Sequence, residues 1–243
     1  MKIFQHSIAN LPPIPEATRK NLVRHFQKVL FKHGYNMENH GASGLASYMA
    51  TRYADAVYEN YRPSLKGLMI LGNTGTGKTF AMEYLADFFK EMCGIRMEII
   101  SASDIARIYA ADGDDGFWRW FCDKKSEELI IDDLGAERNA KHFGNGGIMP
   151  EVISKRYDTW RGSGVRTHFT SNLDLTAIKS RYGERITSRL AEMITLMTIA
   201  GKDYRMAPPI NKNAKDASED GQSNIVEKNA VSVEFQKQEK TKS

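Results

Sequence analysis

The chain has 243 residues, room for one or two domains, and its 41% hydrophobic and 26% charged residues are the balance of a soluble globular protein with a sizeable core. Only two cysteines, Cys93 and Cys122, are present, without CxxC spacing, which excludes a disulfide-stapled mini-protein and offers neither a zinc site nor a redox pair. The net charge of +4 permits nucleic-acid contact without arguing for it.

No apolar run approaches the roughly 20 residues that span a bilayer, and the start of the chain lacks a charged-then-apolar signal pattern. With two lone thiols suited to a reducing compartment, the expectation is a cytoplasmic protein with no membrane partner.

Residues 1–62 open with Pro12, Pro13 and Pro15, and Pro15 can begin a helix. Leu22, Val23, Phe26, Val29 and Leu30 then recur at helical spacing, with Arg19, Lys20, Arg24 and Lys28 between them. A Gly-bearing loop around 34–44 precedes a second stripe, Leu45, Tyr48, Met49, Tyr53 and Val57. Residues 63–206 alternate β-type runs (68–71, 97–100, 129–131, 165–170 and 195–199) with helical segments such as 80–92 and 151–160. That alternation predicts an α/β fold, a parallel sheet covered on both faces. Residues 207–243 start with a Pro208-Pro209 break and continue polar, so a disordered tail is expected, with a weak apolar alternation over 225–235.

The strongest motif is Gly72-Asn73-Thr74-Gly75-Thr76-Gly77-Lys78-Thr79, a full G-x-x-x-x-G-K-[ST] between a strand-like run and a helical pattern. Its glycines let the backbone curl so that N–H groups point at a phosphate, and the following helix adds its positive end. Lys78 is then placed to reach the β- and γ-phosphates and the Thr79 hydroxyl to ligate Mg²⁺. The run 129–131 ends in Asp132-Asp133 and reads as a buried strand delivering carboxylates at its C-terminal tip. Asp132 is expected to hold Mg²⁺, mostly through water, and Asp133 to polarise the attacking water. Thr170-Ser171-Asn172 places an amide at another strand tip, fit to hold that water or the γ-phosphate. Arg181, Arg185 and Arg189 follow at fourth-residue spacing, and Gly183 makes one continuous helix through all three uncertain. They read either as a solvated basic face or as a source of an arginine finger for a neighbouring subunit.

These elements together resemble the Walker A, Walker B, sensor 1 and box VII motifs of AAA+ ATPases. Ser101-Ala102-Ser103-Asp104, Ile131-Asp132-Asp133-Leu134-Gly135, Arg156-Tyr157, Tyr182-Gly183-Glu184-Arg185 and Gly201-Lys202-Asp203-Tyr204-Arg205 point to the DnaC/IstB-like branch, the helicase loaders and transposition ATPases. The resemblance covers about residues 63–206. It implies a five-stranded core, ATP and Mg²⁺ as ligands, single-stranded DNA and a DnaB-type replicative helicase as partners, and side-by-side self-assembly. By position it makes Arg189 the finger with Arg185 as fallback, Asn172 the sensor 1 residue and Arg205 a sensor 2-like arginine on the nucleotide. Two departures from the wider pattern stand out. The stretch after Arg205 is too polar for a helical lid, and Asp133 stands where AAA+ proteins usually carry Glu.

Two further stretches have alternative readings. Phe117-Trp118-Arg119-Trp120-Phe121 is expected to pack against the sheet rather than to stack bases. The loop 138–147 carries Arg138, Lys141 and Phe143, fit either for single-stranded DNA or for a plain surface. The six histidines have no metal-ligand spacing. The reading is an ATP-hydrolysing helicase loader whose residues 1–62 dock the helicase. The alternatives are an IstB-like ATPase on duplex DNA with a transposase, and a nucleotide-gated binding protein with negligible hydrolysis.

Overall fold

Aliphatic segments of about five residues are too short for helices and suit buried strands. In the computed structural model the residues described are 16–32, 40–57, 66–123, 127–137 and 147–200. Five strands form: β1 (Gly67–Leu71), β2 (Met97–Ser101), β3 (Glu128–Asp132), β4 (Thr167–Ser171) and β5 (Ile194–Thr198). All pair in parallel, in the order β2-β3-β4-β1-β5. The expected parallel sheet is therefore present, each strand within two residues of its predicted run.

The central strands β4 and β1 are buried throughout, and β3 is buried up to its last residue, Asp132. Edge strands β2 and β5 are partly exposed. This is the burial that two layers of helices impose on a parallel sheet. Strand alternation divides the core in two. Met69, Leu71, Leu129, Ile131 and Phe169 face one side, covered by α4 (Ala102–Asp123), α5 (Met149–Ser163), α6 (Leu175–Tyr182) and α7 (Glu184–Met193). Leu68, Ile70 and Ile130 face the other, covered by α1 (Glu16–Lys32), α2 (His40–Val57) and α3 (Lys78–Cys93).

The two N-terminal helices are thus part of the sheet's own core. Phe26, Leu30, Leu45 and Met49 are buried in the same cluster as Leu68 and Ile70. A polar bolt reinforces them at the N-terminal edge of the sheet. Arg52 Nη2 of α2 donates to both Glu128 oxygens at 2.6 Å, and Arg166 Nη1 donates to Glu128 Oε1 at 3.0 Å. His168 accepts the Leu68 N–H at Nδ1 (3.1 Å), so its proton sits on Nε2, which faces Glu128 Oε2 at 3.3 Å. Burial keeps His168 below its ordinary range. Burial alone would raise Glu128, but the His168 hydrogen bond and the charges of Arg52 and Arg166 hold it well below the usual carboxylate range.

The aromatic run in α4 packs as expected: Phe117 and Phe121 are buried, and Trp118 and Trp120 half-buried, in the cluster of Met69, Ile131 and Phe169 on the opposite face of the sheet. Gly113 (φ 67°) interrupts that helix. Gly183 (φ 84°) separates α6 from α7, so Arg181 ends one helix while Arg185 and Arg189 share a face of the next. Among the described residues no helix is long and apolar enough to cross a membrane. The expectations for Arg205, for Arg138, Lys141 and Phe143, for the tail and for the missing lid fall outside the described residues.

Candidate functional site

The site gathers at the C-terminal edge of β1, β3 and β4. Gly72 follows β1 directly and its N–H donates to Ser171 O at 3.2 Å. A side chain there would collide with backbone, since a Cβ would lie 2.4 Å from Ile199 O. Gly75 (φ 78°) and Gly77 (φ 86°) take left-handed conformations that turn the loop into α3, which begins at Lys78. Thr76 Oγ1 donates to Asn73 O at 2.9 Å, closing the curl inside the loop. Asn73 and Thr74 stay exposed.

Lys78 is only 5% exposed. Its ammonium donates to Gly72 O and Asn73 O at 2.9 Å and to Asn172 Oδ1 at 2.6 Å. Asn172 Nδ2 in turn faces Asp133 Oδ1 at 3.3 Å. The amide at the tip of β4 therefore lies between the loop lysine and the second aspartate. Thr79 Oγ1 meets the Asp132 carboxylate at 3.0 and 3.2 Å. A hydroxyl and a carboxylate that converge from two elements are the hard oxygen donors a Mg²⁺ ion takes, so the residues present fit that metal.

Thr170 ties the two aspartates together. Its hydroxyl donates to Asp132 Oδ1 at 2.5 Å and accepts the Asp133 N–H at 2.8 Å. Leu134 N–H donates to Thr170 O at 2.8 Å, and Ser171 Oγ donates back to Leu134 O at 2.6 Å. Asp133 itself has φ 53°, a left-handed conformation. These bonds hold it there with its carboxylate beside Asn172. The motifs read from the sequence as Walker A, Walker B and sensor 1 are thus brought within hydrogen-bonding distance of one another.

The arginines fare differently. Arg185 is exposed on α7. Arg189 lies with its guanidinium 5.3 Å from the centre of the Tyr157 ring on α5. Tyr157 OH donates to Glu192 Oε2 (2.6 Å) and Arg161 Nη1 to Glu192 Oε1 (2.9 Å), so α7 is fixed against α5.

Sequence reasoning missed Glu137. It is 3% exposed and lies four residues past Asp133. Its Oε2 accepts the Gly135 N–H at 2.8 Å, and its Oε1 accepts from Tyr182 OH at 2.5 Å and Arg181 Nε at 3.2 Å. Arg181 Nη2 also donates to Glu137 O at 2.5 Å. Burial and the Glu137 bond push the Tyr182 hydroxyl far above the usual phenol range. The signal in the chain was faint: an acid just past a turn glycine, with Arg-Tyr some forty residues later.

No family model and no curated protein matches the chain. Solved structures do. One is DnaI, 20% identical over 68% of this chain and 87% of that one, with a TM-score of 0.56. A second is a candidate primosome component from Streptococcus pyogenes serotype M3, 19% identical over 67% and 81%, with a TM-score of 0.51. A third is the replication initiator DnaA bound to AMPPCP and single-stranded DNA, 19% identical over 66% and 46%, with a TM-score of 0.51. The phosphate loop, the two strand tips and the strand order coincide in one architecture, and the chain has the P-loop AAA+ fold that these proteins share.

Proposed function

We propose that the chain is a DnaC/IstB-like AAA+ ATPase that binds ATP with Mg²⁺ and acts in DNA replication as a helicase loader. The observation that carries the reading is the convergence of Lys78, Thr79, Asp132, Asp133 and Asn172 at one sheet edge. The loop N–H groups and the first turn of α3 cradle the phosphates. Lys78 leaves its loop carbonyls and places its ammonium on the β- and γ-phosphates. Thr79 and Asp132 hold Mg²⁺, which when bound neutralises charge developing on the phosphate oxygens. Asp133 accepts a hydrogen bond from water and turns it toward the γ-phosphate, and Asn172 fixes that geometry through its amide. Arg189, or Arg185 in its place, is proposed to serve the next subunit: the two share a face of α7, and Arg185 is exposed there. Arg205 is proposed to touch the nucleotide.

The partners follow from the same reading: a DnaB-type replicative helicase, single-stranded DNA and further copies of the chain. The basic stripe Lys20, Arg24 and Lys28, exposed at fourth-residue spacing on α1, supports a docking role for the N-terminal region, residues 1–62.

The test mixes the full chain with its cognate replicative helicase, with and without ATP, and follows size-exclusion with light scattering. The expected result is a complex that is lost on Lys20→Glu/Arg24→Glu/Lys28→Glu. Filaments on duplex DNA without helicase binding would support the transposition ATPase instead. Phosphate release that survives Asp133→Asn would mark a contaminant and support a nucleotide-gated binding protein.

A further inference from the structure

Glu137 lies outside every motif used above, yet among the described residues it is nearly as deeply buried as any charged group. One oxygen holds the turn that follows Asp133, through Gly135 N–H. The other holds the last two residues of α6, Arg181 and Tyr182, after which Gly183 bends the chain into α7. A single carboxylate thus joins the turn carrying the water-polarising aspartate to the helix pair carrying Arg185 and Arg189. Between Asp133 and Glu137 the turn is itself pinned, by Thr170 and Ser171 and by an Ala136 N–H bond to Asp133 O at 2.9 Å. A turn pinned at one end and a helix pair gripped at the other move together.

Resting on the ATPase reading above, we propose that Glu137 is a positioning residue that sets the orientation of α7. Through α7 it sets the arginine offered to the neighbouring subunit's nucleotide. It touches neither nucleotide nor water.

Glu137→Gln separates its two halves. The amide oxygen can still accept the Gly135 N–H, while the amide nitrogen faces Arg181, so a charge-assisted pair becomes donor against donor. The variant is therefore expected to bind mant-ATP within twofold of the native chain and to release phosphate at least tenfold more slowly. The deciding measurement is a mixture with Asp133→Asn, whose own site is silent but whose Glu137 is intact. If Glu137 acts through the neighbour, the equimolar mixture recovers about a quarter of the native rate. That is the share of interfaces, in a random assembly, pairing an intact Asp133 with a neighbour's intact Glu137. A purely local role of Glu137 in its own turn predicts a mixture no faster than its parts, and that result overturns the proposal. Native-like hydrolysis by Glu137→Gln alone also overturns it. Should melting followed by circular dichroism show that Glu137→Gln does not fold, Tyr182→Phe, which removes one hydroxyl from the same carboxylate, must show the same slowed hydrolysis and the same rescue. A native chain that releases no phosphate at any concentration removes the ATPase reading itself, and the role of Glu137 with it.

Discussion

Glu128 and Asp132 are the two ends of one five-residue strand, and each is a carboxylate among polar neighbours. At the Glu128 end the neighbours are two guanidinium groups and a neutral imidazole, all buried, and the charges close on each other. At the Asp132 end they are hydroxyls, an amide and an ammonium in a part-exposed cleft. The first set pairs charge with charge and bolts α2 to the sheet. The second consists of groups that can each exchange a protein partner for a phosphate, a metal or a water. Burial with opposite full charges yields an anchor, and partial exposure with exchangeable hydrogen bonds yields a site.

Breaking the anchor should have the largest effect. Arg52→Ala leaves Glu128 with Arg166 and His168 alone, and is expected to cost about 3 kcal/mol of unfolding free energy, the lower end for a broken buried pair. Urea denaturation measures this. Mant-ATP affinity of the folded fraction should stay within twofold, and a parallel loss of affinity would erase the division between the two edges.

Asp133→Asn probes the other edge. Phosphate release should fall about 100-fold, in the range for loss of a general base, while the urea midpoint does not fall. A variant that lost stability and kept its rate would reverse the assignment of the two ends.

The smallest effect is in pH. His168 is held below its unfolded value of about 6.5, so the neutral form belongs to the folded state. Below that pH the unfolded chain takes up the proton first. Stability is therefore complete above about pH 6.5 and declines as the pH drops, by at most about 1.4 kcal/mol per pH unit for one group. Glu128, depressed in the folded state, adds a second loss below about pH 4.3. Urea unfolding at pH 7.5 and 5.5 should show a smaller decline for His168→Asn than for the native chain, despite five other histidines. Equal declines would remove His168 from the anchor's account.

The sheet was legible because strand identity is local: each β-type run of three to six residues carries its own signal. Lys78 and Thr79 were legible because a phosphate loop needs its residues at fixed spacing in a short span, and Asp132 and Asp133 because two acids directly end an apolar strand run. Arg52 and Glu128 were not, since 76 positions separate them and neither has a local signature. Glu137 was missed for the same reason, because only the fold brings Tyr182 to it across 45 positions. The division of the arginine trio was legible as well, because Gly183 argued against one continuous helix and does separate α6 from α7.

Asp133 is, among the described residues, the one non-glycine with a positive φ. That backbone conformation costs most L-residues roughly 1 kcal/mol, less for Asp and Asn and nothing for Gly. A library sorted only for heat resistance would therefore collect Gly at position 133, gaining melting temperature and losing the carboxylate proposed to turn the water. Any effort to toughen this protein by selection must carry a turnover readout from its first round, or its best survivors will be silent.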